Sequence, residues 1–258
     1  MLVEFIDTHS HLYDEAFISE EDLAVSRATE AGVTRMILPD IDSTSREAMF
    51  RLADRHPGIL FPTLGLHPTS VGANWKDEMD AVENTLPKHK IWAIGEIGID
   101  CYWSKEYLEQ QKEVFRLQLE MAHKHNLPVI IHSRESTELI INILKDYKHL
   151  ELQGIFHAYS GSAETFHELQ KLGDWYIGIG GVLTYKKATI AETVKNIPLE
   201  RIVLETDSPY LTPVPYRGKR NESSYIPHIA EKLAQQKETS IEEVAHTTTE
   251  NAKRLFRL

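Results

Sequence analysis

Eight short runs of β-branched and aliphatic residues recur along this chain with helix-like stretches between them, and that alternation restricts the fold more than any other feature. The runs are "VEFIDTH" (3–9), "RMILPD" (35–40), "FPTLGL" (61–66), "IWAIGEI" (91–97), "PVIIHS" (128–133), "GIFHAY" (154–159), "WYIGIGG" (175–181) and "RIVLETD" (201–207). Most are apolar nearly throughout, as strands of a parallel sheet covered on both faces are. Between them, Leu108, Phe115, Leu119 and Ala122 fall on one helical face of "YLEQQKEVFRLQLEMAHKH". Thr44 with Glu47, and Thr239 with Glu242, make capping-box patterns ahead of two more helices, the second ending near "NAKRLF". Eight strand–helix units in 258 residues predict an α/β fold, a single (β/α)8 TIM-type barrel forming one domain over 1–258. An open doubly wound sheet is the alternative.

Composition narrows the function. A hydrophobic fraction of 41% and a charged fraction of 26% exclude a disordered or fibrous chain. The single cysteine, Cys101, excludes an internal disulfide and a Cys-based zinc module, and no neighbour in sequence activates its thiol. The N-terminal "MLVEFIDTHS" lacks the basic start and apolar segment of a signal peptide, and no later run has the length to span a bilayer. The expected setting is therefore cytoplasmic, with no membrane association and no obligate protein partner. A net charge of −11 argues against coating nucleic acid through a broad basic surface, but it leaves room for an enzyme that holds a few phosphates.

The polar residues at strand ends carry the chemistry, because a barrel builds its active site at the C-terminal ends of its strands. There the sequence offers His9 and His11, His67, Glu96, His132, His157, and Glu205 with Asp207. Residues i and i+2 of a strand face one side, so His9 and His11 can chelate one ion. Alone, each of these residues has a plainer reading: a hydrogen-bonded strand-end histidine, a Glu–Arg pair, or a turn aspartate before a proline. Together, several imidazoles and two carboxylates suit two divalent cations, with positions left for water and substrate. Burying so many ionisable groups side by side without an ion is costly.

Other features point less clearly. The remaining histidines lie in helical or loop stretches, where exposure is expected. "GIGG" (178–181) lacks the spacing of a dinucleotide fingerprint and reads as a tight strand end. "SGS" (160–162) either offers N–H groups to an anion or begins a helix. Trp103, beside Tyr102, either stacks on a base or packs against neighbours. The irregular segment "SPYLTPVPYRGKRNESSYIP" (208–227) is rich in Pro, Arg and Lys, and loops of such length are usually functional or mobile.

The ordered set "DTHSHL", "GLHP", "GEIGID", "HSRE", "FHAYSG", "ETDSPYL", "PYRGKRNE" and "TTENAKRLF" resembles the motifs of the TatD-type deoxyribonucleases, metal-dependent hydrolases of the amidohydrolase-like barrel superfamily. The likeness runs from about residue 6 to residue 256. It implies that His9, His11, Glu96, His132, His157 and Asp207 are metal ligands, with Glu96 bridging two divalent ions (Mg, Mn, Zn or Ni). It also implies that His67 and the basic loop, through Arg217, Lys219 and Arg220, hold substrate phosphate. The chain departs from the family pattern after "NE", where "SSY" stands in place of a frequent proline. Superfamily members resembling dihydroorotase or phosphotriesterase bridge their metals with a carboxylated lysine on the fourth strand, whereas strand 4 here supplies Glu96.

The expected function is phosphodiester hydrolysis on nucleic acid, as a 3'-to-5' exodeoxyribonuclease acting on single-stranded DNA ends. Asp207 serves there as ligand and proton acceptor, beside Glu96. A metal-dependent amide or ester hydrolase on the same barrel is the competing class, and a binding protein with a structural metal is a third.

Overall fold

The structure is a computed structural model that describes residues 3–258; Met1 and Leu2, part of the N-terminal segment and of the 1–258 domain span, lie outside the described residues. Strands and helices alternate along the chain. The strands are β1 (Phe5–Asp7), β2 (Val33–Leu38), β3 (Leu60–Pro62), β4 (Ile94–Asp100), β5 (Val129–Arg134), β6 (Gln153–Phe156), β7 (Asp174–Ile179) and β8 (Ile202–Leu204). The helices are α1 (Glu21–Glu30), α2 (Ser43–Arg55), α3 (Trp75–Thr85), α4 (Leu108–His125), α5 (Thr137–Asp146), α6 (Ala163–Leu169), α7 (Ile190–Thr193), α8 (Ile226–Lys237) and α9 (Ile241–Phe256).

All paired strands are parallel, in two sheets ordered β1-β2-β3 and β4-β5-β6-β7-β8. Backbone hydrogen bonds join the sheets at both seams. Leu64 N donates to Ala93 O (3.1 Å) and Gly95 N to Leu64 O (2.9 Å), linking the end of β3 to β4. Thr8 N donates to Leu204 O (3.0 Å), Asp207 N to His9 O (2.9 Å) and His11 N to Ser208 O (2.9 Å), linking β8 to β1. The eight strands thus form one ring, the predicted barrel rather than an open sheet.

The ring's interior confirms the closure. One apolar cluster takes a residue from each strand position in turn: Ile6, Ile37, Phe61, Ala93, Ile130, Ile155, Tyr176 and Val203. Such a filled layer is what makes a barrel of this kind a core and not a pore. Ala252, Leu255 and Phe256 of α9 join the layer and close its lower end. The larger cluster lies between strands and helices, where Phe115, Leu119 and Ala122 of α4 are fully buried as their spacing predicts.

The strands end earlier than expected wherever a polar residue leaves the ladder. β1 stops at Asp7, whose carboxylate accepts bonds from His9 N (3.2 Å), Thr206 N (3.0 Å) and Thr206 Oγ1 (2.6 Å). His9, His11, His67, His157, Glu205 and Asp207 therefore sit just beyond their strands, not within them. Two helix caps also shift. Asp42, not Thr44, caps α2 by accepting from Thr44 N (2.9 Å), and Ser240, not Thr239, caps α9 by accepting from Glu243 N (3.1 Å). Among the described residues, no helix is long and apolar enough to cross a membrane.

Candidate metal centre

Glu96 stands at the centre of the mouth, 2% exposed, with its two oxygens serving two groups of side chains. Oε2 faces His9 Nε2 at 3.1 Å and His11 Nε2 at 3.8 Å. Oε1 faces His157 Nε2 at 2.8 Å, His132 Nδ1 at 2.9 Å and His67 Nε2 at 3.3 Å. Asp207 Oδ1 completes the first group, 3.7 Å from His9 Nε2 and 3.6 Å from His11 Nε2. All six expected ligands converge.

Local backbone explains the aim of each. The β4–β5 register shifts between Ile94 and Ile97, which turns Glu96 out of regular alternation. Gly95 permits this because a Cβ there would lie 2.6 Å from Ile130 Cβ. Asp207 (φ 55°) and Ala158 (φ 44°), which follows His157, hold left-handed backbone without being glycine. Non-glycine residues adopt it at a cost, and such sites cluster where geometry serves function.

Outer hydrogen bonds fix the imidazole tautomers. Tyr13 donates its hydroxyl hydrogen to Pro39 O, so its oxygen accepts from His11 Nδ1 (2.9 Å) and leaves the His11 Nε2 lone pair facing the cluster. Asp100 Oδ2 accepts from His132 Nε2 (2.9 Å), which leaves the His132 Nδ1 lone pair facing Glu96 and His157. His67 is the reverse case. Its Nδ1 accepts from Thr69 N (3.1 Å) and lies 2.6 Å from Thr69 Oγ1, so its Nε2 carries the hydrogen and points it into the mouth.

Electrostatics follow from this crowding. Burial opposes a charged Glu96, but His157, His67, His9 and His132 outweigh it and hold the carboxyl well below its ordinary range. Burial likewise opposes charge on His157, yet Glu96, Glu205 and Asp207 push it up to about 10. Burial and the neighbouring His157 bring His9 down to about 4. Asp207 is lowered against its burial by His11, His157 and His9. Burial raises Glu205 to about 8.

The residues fit divalent cations. Lone pairs of His11 and His132 point at carboxylate oxygens, an arrangement that repels unless a positive charge lies between. Three buried polar atoms of the same cluster, His9 Nδ1, His157 Nδ1 and Glu205 Oε2, have no partner. His9–His11–Glu96 and His9–His157–Glu205 each bring three donor atoms within 4.8 Å of one another. Nitrogen and carboxylate donors of this mix suit borderline divalent ions.

The cluster opens into a cavity of about 650 Å³ lined by His11, His67, Glu96, His132, His157 and Asp207 among others. The expected phosphate-binding cations of the long loop do not line it. Arg220 donates to Glu20 Oε2 (2.6 Å) and Ala16 O (2.7 Å), which ties the loop to the start of α1. Arg217 lies 3.9 Å from the Tyr185 ring centroid and Lys219 5.8 Å from that of Tyr216. "SGS" begins a helix, with Ser162 capping α6 through Thr165 N at 3.2 Å. Cys101 is buried, and burial raises its thiol.

Two contributors, Asp7 and Asp100, escaped the sequence reading, and a third, Glu205, was named at its strand end but given no role. Asp7 joins the ends of β1 and β8, Asp100 orients His132, and Glu205 Oε1 accepts from Ala158 N (2.6 Å) beneath His157. Asp7 lies two residues from His9 and Asp100 four from Glu96, and that even spacing was the available signal.

Known proteins resemble this chain over nearly its whole length. A family model described as "TatD related DNase" matches residues 6–257. YabD of Bacillus subtilis (strain 168), named an uncharacterized metal-dependent hydrolase, is 39% identical over 253 residues, covering 98% of each chain. The crystal structure of YjjV, a TatD homologue from Escherichia coli K12, superposes with a TM-score of 0.92 at 28% identity, covering 100% of both chains. A TatD family hydrolase from Entamoeba histolytica superposes with a TM-score of 0.83 at 24% identity over 99% of each chain, and shows the same fold. With its barrel, a cluster of groups that could hold metal and a family match over nearly its whole length, the chain belongs to the TatD-related family of metal-dependent hydrolases.

Proposed function

We propose that this chain is a metal-dependent phosphodiesterase acting on nucleic acid, a 3'-to-5' exodeoxyribonuclease that takes single-stranded DNA ends. One observation carries the reading: two sets of donors meet at opposite oxygens of Glu96, while the His67 N–H faces the same mouth. His9, His11 and Asp207 would hold one cation, His132 and His157 the other, and Glu96 both. Cations bound there neutralise phosphoryl oxygens and make water nucleophilic near neutral pH.

The protein's own groups do the rest. Asp207, its side chain 17% exposed, is the most accessible of the carboxylates, and it orients the attacking water and accepts its proton. His67 donates its Nε2 hydrogen to a phosphate oxygen, a role its fixed tautomer supports. Arg217 and Lys219 are candidate outer contacts for the strand leaving the mouth. A cytoplasmic setting and a single domain over 1–258 belong to the same reading.

The test strips the protein of metal, restores Mg, Mn, Zn or Ni singly, and assays end-labelled single-stranded DNA beside a dihydropyrimidine and a phosphotriester. A ladder shortening from the 3' end supports the proposal. Turnover of the cyclic amide alone sinks it and favours the amide-hydrolase class.

A further inference from the structure

Arg134 is the only lysine or arginine among the residues lining the mouth cavity. It is the last residue of β5 and stands two positions beyond His132, so the strand that aims His132 at Glu96 also aims Arg134 along the same face. The ion pairs that arginines make among the described residues do not include it. The nearest strand partner, Asp100, is already committed: its Oδ2 accepts from His132, and its Oδ1 accepts from Tyr102 N (2.8 Å) and Trp103 N (3.0 Å).

Those two amides belong to an aromatic pair that is itself exposed. Tyr102 is 50% exposed and Trp103 69% exposed, their rings meeting edge to face at 5.0 Å. The Arg134 guanidinium lies 3.7 Å from the Tyr102 ring centroid and 5.4 Å from that of Trp103. Stacking on Tyr102 holds the guanidinium plane in place without using its edge N–H groups, which stay available for an anion. Trp103 also lines the mouth and retains an open face.

We propose that Arg134, Tyr102 and Trp103 form a clamp for one nucleotide next to the scissile one. Arg134 binds its phosphate through two N–H groups, and Trp103 stacks on its base. The clamp supplies on the rim the positive charge that the long basic loop does not bring to the cavity. Asp100 ties clamp and metal ligand together, since one carboxylate positions both the aromatic pair and His132. The inference deepens the nuclease reading and rests on it.

The test uses metal-loaded protein with two substrates, a fluorescein-labelled oligothymidylate and bis(p-nitrophenyl) phosphate, which has no second phosphate for Arg134 to hold. Arg134→Ala should raise KM for the oligonucleotide about tenfold, with kcat within about twofold, and leave the small diester unaffected. In an Asp207→Asn background, binding read by anisotropy should show a slope of log affinity against log salt shallower by about 0.7 when Arg134 is removed. Arg134→Lys should keep the salt slope and lose part of the affinity. Trp103→Ala should weaken binding about tenfold with an unchanged slope.

Wild-type KM and slope in Arg134→Ala, with the parent protein still cleaving the oligonucleotide, overturn the clamp and leave the nuclease reading intact. A parent protein that neither binds nor cleaves oligothymidylate with any divalent ion overturns both.

Discussion

Asp100 accepts a hydrogen bond from His132 Nε2 at 2.9 Å and so decides which nitrogen of that ring faces Glu96. Burial opposes the Asp100 charge, but His132 and the Trp103 and Tyr102 amides hold its carboxyl down at about 2. The pair is a carboxylate–imidazole support of the kind that orients metal ligands. Asp100→Asn presents an amide that can donate to His132 and favour the wrong tautomer. Its affinity for a divalent ion, measured by calorimetric titration of the stripped protein, should fall on the order of 10- to 100-fold with little change in unfolding midpoint.

Asp207 carries the proposed proton transfer. Asp207→Asn keeps the size and the left-handed backbone of the position, since Asn tolerates that region well. Metal-supported hydrolysis of single-stranded DNA should fall by roughly 10²–10⁴, with circular dichroism unchanged. Near-parental turnover would remove Asp207 from the mechanism.

His67 contributes a hydrogen and not a lone pair, because Thr69 occupies its Nδ1. His67→Ala should lower kcat on a phosphodiester by roughly 10² while metal affinity stays within a few-fold. A large loss of metal binding instead would make His67 a ligand.

Removing the ions should destabilise the protein as well as silence it. The cluster gathers histidines around the two oxygens of a buried carboxylate, and a cation between them relieves the crowding of their lone pairs. Scanning calorimetry of stripped against loaded protein, with ion at about 100 Kd, should show a midpoint lower by about 5–10 °C.

The lower end of the barrel makes a separate prediction. Phe256 is 2% exposed and packs into the layer that takes one residue from each strand position. Phe256→Ala should cost about 3–5 kcal/mol in urea unfolding and leave metal affinity unchanged, since Ile130 and Ile155 lie two residues below His132 and His157.

The convergence of His9, His11, Glu96, His132, His157 and Asp207 was legible because each interrupts or ends an apolar run, and parallel strands in one ring bring such interruptions to one end. Strand ends were less legible. Asp7 and Glu205 bond sideways to neighbouring backbone and pull the chain out of the ladder, a competition between side chain and backbone that no apolar pattern records. Helix starts slipped by one or two residues because Asp42 and Ser240 stand beside equally good caps. The aim of the basic loop was illegible for a different reason. Charge on an irregular segment gives no direction, and Arg220 turned toward Glu20. Arg134 was hidden because the apolar run stops at 133, one residue short of the end of β5.

The apolar layer beneath the histidine–carboxylate cluster, stoppered by α9, makes the barrel a blind bore. A polymer cannot be threaded through it, so any chain it works on must present a terminus or a looped-out unit from the one open side. Whatever is released must leave past whatever waits to come in.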